Sequence, residues 1–439
     1  MNNLLKNDVK EKSLLIIGIA VFAFPVFRNA VQSISILLFI GFSLILFCKR
    51  LKFTKQHLFG LIIVTIWVIY LCITLIYSDD FDYGFILAQR YINILVIPII
   101  FVLFVPKLLF KKQHYFYLSF IVSNVIFIFF IYYKAITVAE NTCYPEIYYE
   151  NIFDKLKFLL SKPNYIIFSC YENEVQHSLF VHRVYNSMNF LFSIILLIEL
   201  IIKRHFKSLL FYVFSILAFF VFFFLLYRQL SIVNIILAIT LIPCYLMLSM
   251  PNRKLGFLII GVLMVFSLIM LGLGLKENQV TKKYVIPVLN LVKKTFTGEG
   301  DANVDERYEI NQASFNLIKQ RPVFGHGIGD VQNKLNNYYK DHQTESNSFK
   351  LALIKNLNSH NNYSFLILSG GFVLFGLYCI NIIFCLYKSF ILKHWLYVTF
   401  LLIISLNLIS ENMYSRIHGA LFYALFNALF LADILKYKK

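Results

Sequence analysis

The sequence predicts an all-α membrane protein of about twelve transmembrane helices with a large extracytoplasmic loop between helices nine and ten. Three observations predict it. Hydrophobic residues make up 59% of the 439 positions and charged residues only 15%, more apolar surface than one water-soluble core can hide. Long apolar stretches, each near the roughly 20 residues that a bilayer demands, recur along the chain. Basic residues alternate from loop to loop, which sets an orientation.

The stretches run Ser13 to Phe27, Val31 to Phe47, Leu58 to Tyr77, Phe85 to Val105, Tyr115 to Tyr133 and Tyr185 to Ile202. They continue with Leu209 to Tyr227, Leu230 to Met250, Leu255 to Leu275, Tyr363 to Tyr387, Trp395 to Leu408 and Leu421 to Leu435. This divides the chain into helices one to five (1–133), a first outer loop (134–184), helices six to nine (185–275), a large outer loop (276–362) and helices ten to twelve (363–439). The apolar start runs straight into a second span with no small-residue cleavage site, so a retained first helix is expected.

The formal net charge is +18, and its placement argues against nucleic acid as a partner. With the N-terminus inside, the cytoplasmic segments hold 20 Lys and Arg residues, among them Lys49, Lys111, Lys203 and Lys388, whereas the short outer loops hold Arg28, Arg228 and Arg416. The excess follows the positive-inside rule and suits anionic lipid headgroups, making membrane lipid the expected partner. Both termini are expected in the cytoplasm. Of seven cysteines, Cys143 and Cys170 share the first outer loop, where an oxidising compartment would permit a disulfide.

Chemistry is expected on the outer face, where the two long loops lie. The stretch Asp305 to Gln320 reads as a helix ended by Pro322, with Ile310, Ala313, Leu317 and Phe315 on one side, able to lie along the membrane surface. After it, Gly325, Gly327 and Gly329 allow a tight turn whose exposed backbone could approach a phosphate; a plain structural turn is the competing reading. Arg90 falls inside the fourth helix, Arg228 closes the seventh and Arg416 sits in the last outer loop. Arginine in or beside a bilayer usually faces a polar cavity or an anion. With Arg307 these residues suit an anionic, lipid-linked ligand. His360, in Asn358-Ser359-His360-Asn361-Asn362-Tyr363, stands where the tenth helix begins. An imidazole there could take a proton from an attacking hydroxyl, and the helix start favours phosphate; a capping or interfacial role is the alternative.

The runs Arg307-Tyr308-Glu309-Ile310-Asn311, Pro322-Val323-Phe324-Gly325-His326-Gly327-Ile328-Gly329 and His360-Asn361-Asn362-Tyr363 before Gly370-Gly371 resemble, in order and spacing, the signature of the O-antigen ligase family of bacterial glycosyltransferases, which includes O-antigen polymerases. The resemblance implies a GT-C-like bundle in the cytoplasmic (inner) membrane with its active side extracytoplasmic. It implies transfer of a glycan from a polyprenyl diphosphate carrier to a glycan or lipid acceptor, with no metal and no cofactor. His360 then matches the family's loop histidine, proposed to activate the acceptor hydroxyl or organise the site. Arg307 matches its loop arginine and Arg228 the arginine of a Ser-Arg-x-Gly pattern, with the carrier's diphosphate as their ligand. The local sequence Tyr227-Arg228-Gln229-Leu230 lacks that serine and glycine. A repeat-unit polymerase is the neighbouring alternative. A transporter or flippase is the rival from another class, disfavoured because the acidic residues inside the spans are Glu199 and Asp433, both near cytoplasmic ends, with Lys203 four residues after Glu199.

Overall fold

The computed structural model describes residues 2–27, 29–47, 54–138, 183–229, 231–251 and 306–436, with a few isolated positions between them. The described residues are helical with no strand. The first half holds α1 (Asn2–Phe22), α2 (Asn29–Phe47), α3 (Lys55–Ile73), α4 (Phe81–Leu103), a short α5 (Lys107–Lys111) and α6 (His114–Val138). Then come α7 (Arg183–Ile202), α8 (Leu209–Arg228), α9 (Ile232–Ser249), the loop helices α10 (Glu306–Gln320), α11 (Val331–His342) and α12 (Asn347–Ile354), and finally α13 (Asn362–Ile391), α14 (Trp395–Ser410) and α15 (Ile417–Lys436).

Eleven of the apolar stretches fall on α1–α4, α6–α9 and α13–α15; the ninth, Leu255 to Leu275, lies outside the described residues, as does the pairing of Cys143 with Cys170. Eight described helices are long and apolar enough to cross a bilayer, and His114–Phe130 and Trp395–Ser410 are shorter apolar segments. Local chemistry sets several starts. The Thr54 hydroxyl caps α3 by accepting from His57 N, Asp80 caps α4 by accepting from Tyr83 N, and Asn361 caps α13 by accepting from Tyr363 N and Ser364 N.

Two helices, α7 and α15, are buried on nearly every face, as expected of central elements. Around them the other helices keep one stripe inside and point large apolar side chains outward, for example Ile45, Leu210 and Ile383. Outside water such stripes are the lipid-contacting surface.

Side-chain bonds sort the helix ends into two poles. At one pole Lys436 Nζ donates to the carbonyls of Phe101 and Val105, Lys203 pairs with Glu199 at 2.7 Å, and His394 Nε2 lies 3.2 Å from Asp433 Oδ2. This is the Lys-rich pole, and it holds Glu199 and Asp433, each already partnered. At the other pole Arg90 reaches Ser415, Asn362 accepts from Tyr414 N, and Asn234 exchanges amide hydrogen bonds with Asn407 at 2.9 Å. The starts of α9, α13 and α15 and the end of α14 therefore share one face, which α4 meets about two and a half turns along its length, at Arg90. Interhelical amide pairs of this kind hold apolar helices in register where burial alone cannot distinguish neighbours.

α13 is broken at Gly370 and Gly371, the latter with φ +68°. The segment 322–330 fills the break. His326 N and Gly327 N donate to the carbonyls of Leu368 and Ser369, and Phe372 N donates to the Pro322 carbonyl, so the backbone groups freed by the break are satisfied again. Beyond this seam the Asp330 carboxylate accepts from Asp79 N and Asp80 N at 3.0 and 2.9 Å, clasping the loop to the start of α4.

Candidate active site

The strongest gathering of chemically active side chains lies at the pole opposite the lysines, between the start of α13 and the turn that follows α14. His360 sits just before Asn361, the cap of α13, with φ +43°, a conformation that L residues seldom adopt. Its backbone N–H donates to Asn358 Oδ1 at 2.9 Å, which holds this bend. The imidazole is part-buried, and its Nδ1 stands 3.7 Å from Glu411 Oε2. That exceeds a hydrogen-bond length, but catalytic contacts commonly tighten only when substrate is bound. Glu411 is the residue that ends α14 and is only 6% exposed.

The turn Glu411–Arg416 and the start of α13 form a polar floor in which Glu411, Asn412, Ser415 and Asn362 are all buried. Asn412 Oδ1 accepts from the Ser415 hydroxyl, and Tyr414 N donates to Asn362 Oδ1. Into this floor comes Arg90 from α4, its Nη1 donating to the Ser415 carbonyl at 2.6 Å. Arg416 is exposed and close enough to Arg90 for the two charges to repel. Glu411 and Arg416 also act electrostatically on the buried Tyr185 of α7. Two guanidinium groups close enough to repel each other are an arrangement that an anion would relieve.

Arg90, Arg416, His360 and Glu411 are therefore brought to one region by four different elements: α4, the segment before α15, the segment before α13 and the end of α14. Arg228, the last residue of α8, stands at the same pole with its guanidinium 5.9 Å from the Phe224 ring centroid. Its neighbour Gln229 is buried, and Ser231 then joins the Asn234 network. Arg307 is on the first turn of α10, half-buried, on a helix that packs on α11, α12 and α13. Nearby on α10, Glu309 accepts from Ser346 at 2.6 Å, tying α10 to α12.

Of the two readings of the glycine turn the structure favours the plain structural one, and one expectation for α10 needs correction. The glycine turn does not offer exposed backbone: residues 325–330 are buried, Ile328 N is committed to Thr74 Oγ1, Gly329 N to Ser78 Oγ, and His326 N and Gly327 N to α13. Gly325, Gly327 and Gly329 are glycines because a Cβ would strike the broken segment of α13, Ser78 and Asp80. Their N–H groups face protein, which removes the proposed route to a phosphate. On α10, Ile310, Ala313 and Leu317 are buried as the spacing predicts, but Phe315 is 58% exposed; two residues from Ala313 and Leu317, it lies off their helical face.

Glu411 was not singled out by motif or spacing. An acidic residue directly after a span, six positions before the next one begins and in the same short turn as Arg416, is the signal that could have marked it. Its partnership with His360 joins residues 51 positions apart in sequence and is visible only in three dimensions. Among the described residues no group of three or more His, Cys, Asp and Glu side chains is arranged to hold a metal.

No curated protein matches the chain in a sequence comparison. The family model described as O-antigen ligase does match, over residues 186–379. That stretch, somewhat under half of the chain, includes Arg228, Arg307, the glycine loop, His360 and the break in α13, while Arg90, Glu411 and Arg416 fall outside it. The motif-bearing segment of this membrane protein of apolar helices is thus similar to the O-antigen ligase family.

Proposed function

We propose that this protein transfers a glycan from a polyprenyl diphosphate carrier to an acceptor hydroxyl at the outer face of the bacterial cytoplasmic membrane, in the assembly of lipopolysaccharide or another surface polysaccharide. The observation that carries this reading is the convergence of His360, Glu411, Arg90 and Arg416 on one polar floor at the pole opposite the lysines. In the reaction the acceptor oxygen bonds to the anomeric carbon, the bond from that carbon to the diphosphate oxygen breaks, and the acceptor proton is taken up by His360. With Nδ1 turned to Glu411, the imidazole keeps Nε2 for the acceptor; the carboxylate fixes that tautomer and stabilises the imidazolium that forms.

The leaving group is already a diphosphate, so the demand on the protein is to stabilise its growing negative charge. Arg90, held by the Ser415 carbonyl, and the exposed Arg416 beside it supply donors for this, and Arg228 and Arg307 are assigned to the same anion from their own helix ends; a preorganised donor contributes about 3 kcal/mol in the transition state. Metal and nucleotide sugar are not part of this scheme.

The test is transfer in cells that lack the endogenous gene, comparing wild type with His360→Ala by electrophoresis of surface polysaccharide and of extracted lipid-linked intermediates. Long lipid-linked chains accumulating in the mutant identify a ligase, and single repeat units identify a polymerase. A mutant present at normal level with wild-type profiles would overturn the assignment of His360.

A further inference from the structure

Away from the site, the end of α10 and the segment after it form a tip with an unusual surface. Phe315, Val323 and Phe324 are 58%, 52% and 62% exposed, and Lys319, Gln320, Arg321 and Pro322 between them are exposed as well. Lys319 Nζ lies 4.4 Å from the Phe315 ring centroid, and Arg321 is near enough to Tyr77 for its charge to act on the phenol. A tip of exposed aromatic rings with two cations is costly in water, and among the described residues no apolar element covers it.

Its depth relative to the spans can be read from hydrogen bonds. Phe372 N donates to the Pro322 carbonyl and Val373 N to the Val323 carbonyl, so the tip is fixed to α13 at residues 372–373. From there to Lys388, the basic residue of the last turn, α13 rises roughly 24 Å at 1.5 Å per residue. On the other side the Tyr77 hydroxyl donates to the Phe324 carbonyl at 2.6 Å, and Tyr77 ends a stretch that begins at Lys55, roughly 33 Å away on the same ruler. A hydrocarbon core is about 30 Å thick. The two rulers bracket its outer edge. The surface beside the tip is lipid-facing too: Ile76 is 83% exposed and Phe372 53% exposed, both in apolar spans.

We infer that residues 315–324 insert into the outer leaflet of the bilayer, with Phe315, Val323 and Phe324 among the upper acyl chains and Lys319 and Arg321 on the phosphates of anionic lipids. Aromatic side chains favour this boundary, and basic residues beside them add attraction to an anionic surface. The partner is bulk membrane lipid, because the patch is continuous with the apolar faces of α3 and α13. The anchor pins the seam between the loop and the broken helix to the membrane plane, and it does not depend on the reaction proposed above.

The test uses the full chain in nanodiscs, with wild type subtracted to remove the signals of Trp67 and Trp395. The added emission of Phe324→Trp, and separately of Phe315→Trp, is expected to be blue-shifted and quenched by phosphatidylcholine brominated high on the acyl chain more than by lipid brominated near the chain end. In discs that include phosphatidylglycerol, Lys319→Glu with Arg321→Glu should weaken this quenching, by at least roughly fivefold in interfacial occupancy for each cation lost, and should do so less in phosphatidylcholine alone. Water-like emission that ignores both brominated lipids in both tryptophan variants would overturn the insertion. Quenching indifferent to phosphatidylglycerol and to the charge reversals would overturn the role of Lys319 and Arg321.

Discussion

His360 and Glu411 make the sharpest claims at the scale of single residues. The positive φ of His360 and its bond to Asn358 hold a side chain that would be free to turn on an exposed loop, and strain of this sort persists only where the surroundings enforce it. His360→Ala is expected to lower glycan transfer by about 10²–10⁴-fold, the usual worth of a positioned proton acceptor, at unchanged protein level. Glu411→Gln should also lower transfer while leaving folding intact, because the amide keeps the shape and removes the charge. Glu411→Asp should restore part of the activity; equal activity of all three side chains would remove Glu411 from the mechanism. Arg307→Ala is expected to insert and fold normally and to lose transfer, measured as surface polysaccharide at matched membrane abundance. Loss of expression would point to a structural role for Arg307.

At the scale of elements, the break in α13 is the feature most open to test. Gly371 has φ +68°, and a Cβ there would overlap the Val323 carbonyl. Gly371→Ala should destabilise the protein by at least ~1–2 kcal/mol from the backbone alone, read as a lower unfolding temperature in detergent. Asp330→Asn keeps one acceptor for the two N–H groups of Asp79 and Asp80 and loses the other, a cost of about 2 kcal/mol for a charge-assisted bond. The same seam contains His326, whose Nε2 lies 2.9 Å from the Leu317 carbonyl. Burial lowers its pKa from the ordinary 6.5, partly opposed by that carbonyl. A histidine with a depressed folded pKa gives stability that is complete above 6.5 and lost as pH falls below it. Melts in mildly acidic buffer should fall further for wild type than for His326→Gln.

For the whole molecule, the two poles are the organising fact. Lysines, with the Glu199 and Asp433 pairs, gather at one, and the arginines of the candidate site at the other. The positive-inside rule predicts that the lysine pole lies in the cytoplasm. Green fluorescent protein fused after Lys439 should therefore fluoresce, and alkaline phosphatase fused after Lys340 should be active; the opposite pattern would invert the molecule and move the candidate site to the cytoplasm.

Much of this arrangement was legible in the sequence. Most span positions follow from the number of apolar residues a bilayer requires, a property that adds up along the chain; the lysines predict an orientation, which the two fusions test. His360, Arg307, Arg228, Arg90 and Arg416 could be named because polar groups at membrane depth, or in a long outer loop, stand out against an apolar background. The role of the glycines and of Phe315 could not be read in this way. Whether Gly327 N–H meets a ligand or the Ser369 carbonyl depends on where α13 breaks, and Phe315 differs from Ala313 only in the direction its helix turns it. Glu411 shows the same limit at the site itself. By itself the sequence determined which segments enter lipid and which residues are too polar to be there without purpose, since those are free energies of transfer for each residue. Only the tertiary structure decided that Glu411 faces His360, that Arg90 and Arg416 come close enough to repel, and that the glycine loop mends a broken helix. Those are distances between residues far apart in sequence, and they are fixed by packing and hydrogen bonding across the fold.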